Sequence, residues 1–329
     1  MEQKNYSVDM RIEQILENGR TAEIFDCFLP GMRAMVESQP MAAGMSLRRL
    51  AEYTKGAIPE SVLEAMDAEL NKIPVEGAEE RIREEIEAMK RQPLTEAAAE
   101  RLPGTVQTAI YPGHVWRDTE GKRIQAHGGA LFYEDGIYYL YGENKDRTDG
   151  RCPIWTWGIR AYSSKDLYNW EDLGLIIEPD LEDPKSNLYP SARVDRPHIV
   201  KCDKTGKYVC WIKLSGEGGC FVVLQSDDFL GPYEVMAENY RPFGMAVGDF
   251  DIVKAQSGKA YLFMDADHTG IVGMELSEDL LSVSKEVTRQ YEGLHAPFCR
   301  EAPALFERSG KKYMLTSGMT GYIPNKSDC

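Results

Sequence analysis

The chain is short of positive charge: against 53 Asp and Glu it carries 38 Lys and Arg, a net −15 at pH 7. Nucleic-acid binding draws most of its affinity from Lys and Arg that neutralise phosphates, so that partner class is excluded. The acidic surplus reads as a solubility feature. The sequence also lacks any run of about 18 apolar residues, the length that signals a membrane span. Met1 leads into Glu, Gln, Lys and Asn rather than a basic stretch followed by an apolar one, so no export signal is read and a cytoplasmic, membrane-free protein is expected. Close CxxC pairs are missing too. The seven cysteines, Cys27, Cys152, Cys202, Cys210, Cys220, Cys299 and Cys329, form an odd, scattered set that suits neither a structural zinc site nor a disulfide framework, and they read as reduced thiols filling the core. Apolar residues are not lacking: 43% of the 329 residues are hydrophobic and 10% aromatic, enough for two domains or one large domain with an appendage.

Two halves differ in periodicity. In residues 7–101 apolar positions such as Val8, Ile12, Ile15 and Leu16 recur at helical spacing while Val and Thr are sparse, which predicts helices. Ser46 precedes Leu47 in a helix-start pattern, Pro59 is placed in a first helical turn, and Glu79 to Lys90 reads as a charged helical face. Pro103-Gly104 is a turn signal at a shift of composition, so the division is drawn between a helical region, 1–103, and a β domain, 104–329.

The second half repeats itself. Four times a strand-like run reaches a glycine turn and a second strand: HGGALFYEDGIYYLYGE from His127, DRPHIVKCDKTGKYVCW from Asp195, DFDIVKAQSGKAYLFMD from Asp249 and EAPALFERSGKKYMLTS from Glu301. The turn glycines are Gly136, Gly206, Gly258 and Gly310, and a second hairpin with a Ser-x-Asp turn follows the first three copies from Ser163, Ser226 and Ser277. Repeats of this kind are blades of a β-propeller, each burying its faces against its neighbours. The fourth copy stops before its outer hairpin, giving about three and a half blades, and such an open stack leaves a blade face exposed.

Aligned on the turns, the repeats begin with His127, Asp195, Asp249 and Glu301. Equivalent inner-strand starts converge at one end of a propeller channel, which brings three carboxylates together. Like charges a few ångströms apart resist joint ionisation and push one pKa up, as a general acid requires. The alternatives are that these acids cap strand ends or bind a cation in the channel. His127-Gly128-Gly129 lets backbone approach a ligand, and Tyr141-Gly142-Glu143 ends a second strand with another acid. Trp155, Trp157, Trp211 and Tyr322 are candidates to stack on pyranose faces, although a lone aromatic in a blade more often belongs to the core. His198 reads as a packed histidine. Asp265, Asp267 and His268 resemble a metal cluster only loosely and read as a solvated strand end.

At these residues the chain resembles family 43 glycoside hydrolases, in particular the branch of exo-acting galactan 1,3-β-galactosidases. The stretches that carry the resemblance run in order: Trp116 to Gly121, Ala126-His127-Gly128-Gly129, Tyr141-Gly142-Glu143, Asp195-Arg196-Pro197, Thr205 to Val209, Gly248-Asp249 and Arg300-Glu301-Ala302-Pro303. The resemblance implies an all-β, five-bladed propeller and inverting hydrolysis of β-galactosyl or related plant-polysaccharide oligosaccharides. It implies Glu301 as general acid, Asp249 as its tuning partner, and Asp195, Glu143, His127, Arg196 and Tyr322 as substrate-binding residues. Asp195 stands where the branch often has Glu, and the first inner strand has His127 where many members have an Asp base. The galactanase-like branch draws on a Gln in the blade after the acid, so the base is expected from a segment beyond this chain or from a partner chain that completes the propeller. No cofactor is expected, a structural cation in the channel being the alternative left open. The helical region is expected to be a lid, a docking module or an oligomerisation element. A non-catalytic carbohydrate-binding propeller is the competing reading, separated from the enzyme by measured turnover.

Overall fold

The structure is a computed structural model that describes residues 5–54, 58–75, 83–84, 86–88, 90, 106–148, 154–215, 219–266, 268–294, 298–318 and 327–328. The chain forms two compact units, Met1–Glu85 and Ile86–Cys329. That division falls earlier than the Pro103-Gly104 turn, and residues 91–105 lie outside the described residues.

The first unit is helical: α1 Ile12–Glu17, α2 Gly19–Phe28, α3 Met32–Glu37, α4 Pro40–Ala43, α5 Leu47–Tyr53 and α6 Glu60–Leu70. Its apolar positions face one core, with Ile12, Ile15, Phe25, Leu47, Leu63 and Met66 all at 0% exposure. The helix starts follow from capping chemistry. The Asn18 side chain accepts from the amides of Arg20 and Thr21 at the start of α2, and Ser46 Oγ accepts from the Arg49 amide at 3.1 Å at the start of α5. Pro59 is the residue before α6 rather than within its first turn: its φ of −64° suits a helix, but its extended ψ of 144° keeps it outside. The expected helical face from Glu79 to Lys90 lies largely outside the described residues.

The second unit is built of antiparallel sheets in which each strand pairs with the next. The first holds β1 His127–Glu134, β2 Ile137–Glu143, β3 Ile159–Ser164 and β4 Glu171–Ile177. The second holds β5 Val194–Lys201, β6 Tyr208–Leu214, β7 Cys220–Ser226 and β8 Glu234–Tyr240. The third holds β9 Phe250–Lys254, β10 Ala260–Asp265, β11 Ile271–Leu276 and β12 Val283–Gln290. The fourth holds β13 Arg300–Arg308, β14 Lys311–Gly318 and the short β15 Ser327–Asp328. The first strands stand side by side in chain order, β1 by β5, β5 by β9 and β9 by β13.

Alternation of side chains explains the stacking. On β6, Cys210 and Ile212 point into a core shared with the first sheet, where Tyr141, Ile159, Ile176 and Phe229 meet them. Val209 and Trp211 point the other way, into a core with Phe250, Leu262, Met264 and Val272 of the third sheet. The second sheet is therefore apolar on both faces, and each fully buried aromatic of its kind stabilises the stack by about 2 kcal/mol or more. Among the described residues the fourth sheet leaves one face open, whereas the first covers its second face only at β2 and β3, where Leu140 and Tyr162 pack with Ile124 and Trp170. Leu131 and Tyr133 of β1 are 58% and 59% exposed, and Phe306 of β13 and Leu315 of β14 are 44% and 42% exposed. Phe306 lies stacked on Tyr313, with ring centroids 5.0 Å apart.

Candidate active site

Three of the four repeat starts are shaped by one backbone device. Immediately after His127, Asp195 and Glu301 the strand pairing slips, and the next residue takes a left-handed conformation: Gly128 at φ 56°, Arg196 at φ 49° and Ala302 at φ 51°. Such a bulge re-aims the side chain before it and ends regular pairing. Its cost at a non-glycine residue, about 1–2 kcal/mol, is tolerated at Arg196 and Ala302, which marks both as positions where geometry overrides propensity.

Opposite each start stands a second polar residue on the neighbouring strand. His127 pairs with Glu143, Asp195 with Lys213 and Glu301 with Ser317. Asp249, just before β9, accepts the Asp265 amide on its carbonyl at 2.8 Å. Sequence reasoning found Glu143 but missed Lys213, and named Asp265 only as part of a solvated strand end. A signal was present: Glu143, Lys213, Asp265 and Ser317 each follow their turn glycine by the same seven residues.

Glu143 is completely buried and fully engaged. Its Oε2 lies 2.7 Å from Lys145 Nζ and 3.1 Å from His127 Nδ1, and its Oε1 accepts the Arg196 amide at 2.9 Å. Burial alone pushes a carboxyl up; here the His127 and Lys145 contacts and the amide outweigh it and hold Glu143 below its ordinary value. Glu143 in turn raises the His127 imidazole. Gly128 makes room for this carboxylate, since a Cβ there would stand 2.5 Å from Oε1.

Arg196 joins the strands. While its amide serves Glu143, its Nε lies 2.7 Å from Asp249 Oδ1, and Lys213 Nζ reaches the same oxygen at 2.9 Å. Burial opposes ionisation of Asp249, but these two cations hold its carboxyl below the usual range. Asp195 shows the opposite balance. Burial first and Glu143 second push it up, although Trp155 Nε1 donates to it at 2.7 Å and Ser215 Oγ also hydrogen-bonds it.

Glu301 is half-buried, and among the described residues no side chain or amide hydrogen-bonds its carboxylate. Burial raises its pKa, Asp249 raises it further and Asp265 adds to this, while His268 and Arg196 oppose. The arrangement therefore pairs one carboxylate held ionised, Asp249, with one inclined to keep its proton, Glu301.

Asp265 and His268 correct the sequence reading of a solvated strand end. Asp265 is fully buried; its Oδ2 lies 2.6 Å from His268 Nδ1, and its Oδ1 accepts the His268 amide at 2.6 Å. Donor atoms of Asp265, His268 and Glu301 lie within 4.8 Å of one another, a set that could hold a cation, and Asp265 Oδ2 meets His268 Nδ1 out of line for a hydrogen bond. Asp267 and Tyr322 lie outside the described residues. Trp211 is core. Trp155 lies between Lys145 at 4.7 Å and Arg193 at 5.1 Å, and Arg147 covers Trp157 at 4.6 Å, so both rings already carry cations. His198 packs as a strand residue, its Nε2 2.8 Å from Asp251 Oδ1, while Asp251 Oδ2 accepts the Leu305 amide at 2.6 Å and so ties β5, β9 and β13 together.

The profile of Glycosyl hydrolases family 43 matches residues 129–327. No curated protein matches the chain. Among solved structures it is similar to a family 43 β-1,3-galactosidase at 31% identity and a TM-score of 0.58, covering 67% of this chain and 46% of that one. A second β-1,3-galactosidase of the family, solved with galactodeoxynojirimycin, is 29% identical at a TM-score of 0.57, covering 66% of this chain and 76% of its own. The exo-β-1,3-galactanase 1,3Gal43A of Clostridium thermocellum is 27% identical at a TM-score of 0.57, covering 66% and 48%. The chain thus spans about half the length of the first and third of these proteins. With the profile covering more than half of its residues and the repeated sheets in the same arrangement, the chain belongs to glycosyl hydrolases family 43.

Proposed function

We propose that the protein hydrolyses O-glycosidic bonds by a single inverting displacement, removing terminal β-galactosyl units from plant-polysaccharide oligosaccharides. The observation that carries the reading is Glu301: its carboxyl is pushed up by burial and by Asp249, and it is hydrogen-bonded by none of the described residues. A carboxyl shifted in this direction holds its proton more firmly than a free one and can give it to a leaving oxygen. Asp249, fixed by Arg196 and Lys213, supplies the field that keeps the proton on Glu301. Asp195, His127, Arg196 and Tyr322 bind sugar hydroxyls, whereas Glu143, expected from the sequence to join them, is buried and instead holds His127, Lys145 and the Arg196 amide in place. The chemistry needs carboxylates and water and no cofactor. The β-galactosyl preference is supported by the names of the similar structures, β-1,3-galactosidases and an exo-β-1,3-galactanase.

The base belongs, on this reading, to a fifth blade that completes the ring. The exposed apolar faces of the first and fourth sheets, Leu131 with Tyr133 and Phe306 with Leu315, support a further sheet packed between them. The test is to follow the anomeric configuration of the first product from a β-1,3-galactosyl oligosaccharide by NMR. Inversion is expected, and a retained product would overturn the single displacement. Binding of sugar without turnover, unchanged by Glu301→Gln, would favour the non-catalytic propeller.

A further inference from the structure

The Asp265 and His268 pair stands beside Glu301 without a part in the roles above. Three observations set it apart from an incidental surface ion pair. Asp265 is at 0% exposure; its Oδ1 accepts the His268 amide at 2.6 Å, and its Oδ2 lies 2.6 Å from His268 Nδ1, close but out of line for a hydrogen bond. His268 takes a left-handed backbone at φ 61° to make both contacts, a conformation uncommon for a non-glycine residue. Gly248 has nothing in the place of a Cβ because the Asp265 carboxylate fills it: a Cβ there would lie 2.5 Å from Oδ2. Backbone and packing thus keep the His268 ring beside the Asp265 carboxylate.

That imidazole stands beside Glu301. A His268 ring nitrogen and a Glu301 oxygen lie within 4.8 Å, a distance one bridging water can span. The other charged or titratable groups around Glu301 are Asp249 before β9, Arg196 on β5, Asp265 on β10 and Cys299 with Arg300 at the start of β13. Asp249 and Asp265 drive the Glu301 proton on; Arg196 is already committed to Asp249 through Nε at 2.7 Å. His268 is the cation nearest in kind to a counterweight.

We propose that Asp265 and His268 form a positioning dyad, in which buried Asp265 locks His268 as the cation that limits how firmly Glu301 holds its proton. Without it, burial and two carboxylate neighbours would leave Glu301 too weak an acid to release the proton to a leaving group. The dyad rests on the reading of Glu301 as general acid for its purpose, but not for its measurement. The experiment is a 13C NMR titration of the Glu301 carboxyl in the protein with labelled glutamate, the signal being identified by its loss in Glu301→Gln. In His268→Asn the Glu301 midpoint should rise by about one pH unit, the low end of what an opposite charge at 4–6 Å does. In His268→Lys, which restores a cation, it should return toward the wild-type value. A midpoint unmoved or lowered in His268→Asn, or equally raised in both variants, would overturn the proposal, whatever the change in melting temperature. If Glu301 is not the acid, that shows separately, as equal losses on good and poor leaving groups in Glu301→Gln.

Discussion

Replacing Gly128 with alanine tests how the first sheet seats its buried carboxylate. Two costs follow from the structure. The residue sits at φ 56°, where an L side chain loses about 1 kcal/mol. The new Cβ would lie 2.5 Å from Glu143 Oε1, so the carboxylate must retreat by about 0.9 Å to reach ordinary contact at 3.4 Å. Glu143 has no solvent to retreat into, and the Arg196 amide that Oε1 accepts, at 2.9 Å, is the first bond to go. Losing one hydrogen bond to a buried charge costs about 2 kcal/mol, so the sum is about 3 kcal/mol. For a unit the size of Ile86–Cys329 that lowers the melting temperature by about 6–12 °C. Two comparisons separate the parts by urea unfolding. Gly136→Ala, at φ 82° with nothing within 4 Å of its Cβ, should cost only the backbone part of about 1 kcal/mol. Gly128→Ala made in a Glu143→Ala background should fall to the same value. A cost of about 3 kcal/mol in both backgrounds would refute the claim that Gly128 exists to admit the carboxylate.

Two further outcomes follow from the charges. Asp249→Asn removes the carboxylate that raises Glu301 most, so the basic limb of the pH–rate profile should move to lower pH; the same change leaves Lys213 and Arg196 without their counter-charge and should destabilise by about 2 kcal/mol, read by urea unfolding. Because the folded state raises the Glu301 carboxyl above its unfolded value of 4.5, it binds that proton more tightly than the unfolded chain, and stability is lost as pH climbs through the folded pKa. Glu301→Gln should therefore gain stability over wild type at pH 8 and almost none at pH 4, and equal gains at both would argue against a raised carboxyl.

Much of this architecture is written in local pattern. The glycine turns and alternating apolar runs locate β1, β5, β9 and β13, because a two-strand hairpin is specified by residues close in sequence. The open faces of the first and fourth sheets follow from counting the repeats. What pattern did not show depends on pairing or on distant contacts. The bulges after His127, Asp195 and Glu301 are a property of register, and Arg196 and Ala302 carry no composition cue for a left-handed backbone. Lys213 lies on the second strand of its hairpin, away from the aligned strand starts, although the constant seven-residue offset from the turn glycine reaches it. Trp155 looked like a sugar platform, and only the fold brings Asp195, forty residues on, to its Nε1. Asp265 read as a solvated strand end because burial at the mouth depends on neighbouring sheets, which no single repeat reveals.

The central claim, that Glu301 gives the proton to the leaving oxygen, is tested most directly by comparing wild type with Glu301→Gln on two substrates that differ only in leaving group. On a β-1,3-linked galactosyl disaccharide, whose leaving sugar needs protonation, the rate should fall about 10²–10⁴-fold. On an aryl β-galactoside with an acidic phenol the fall should be about tenfold or less, since that group departs without help. Equal losses on both substrates would contradict the assignment and leave Glu301 as a sugar-binding residue.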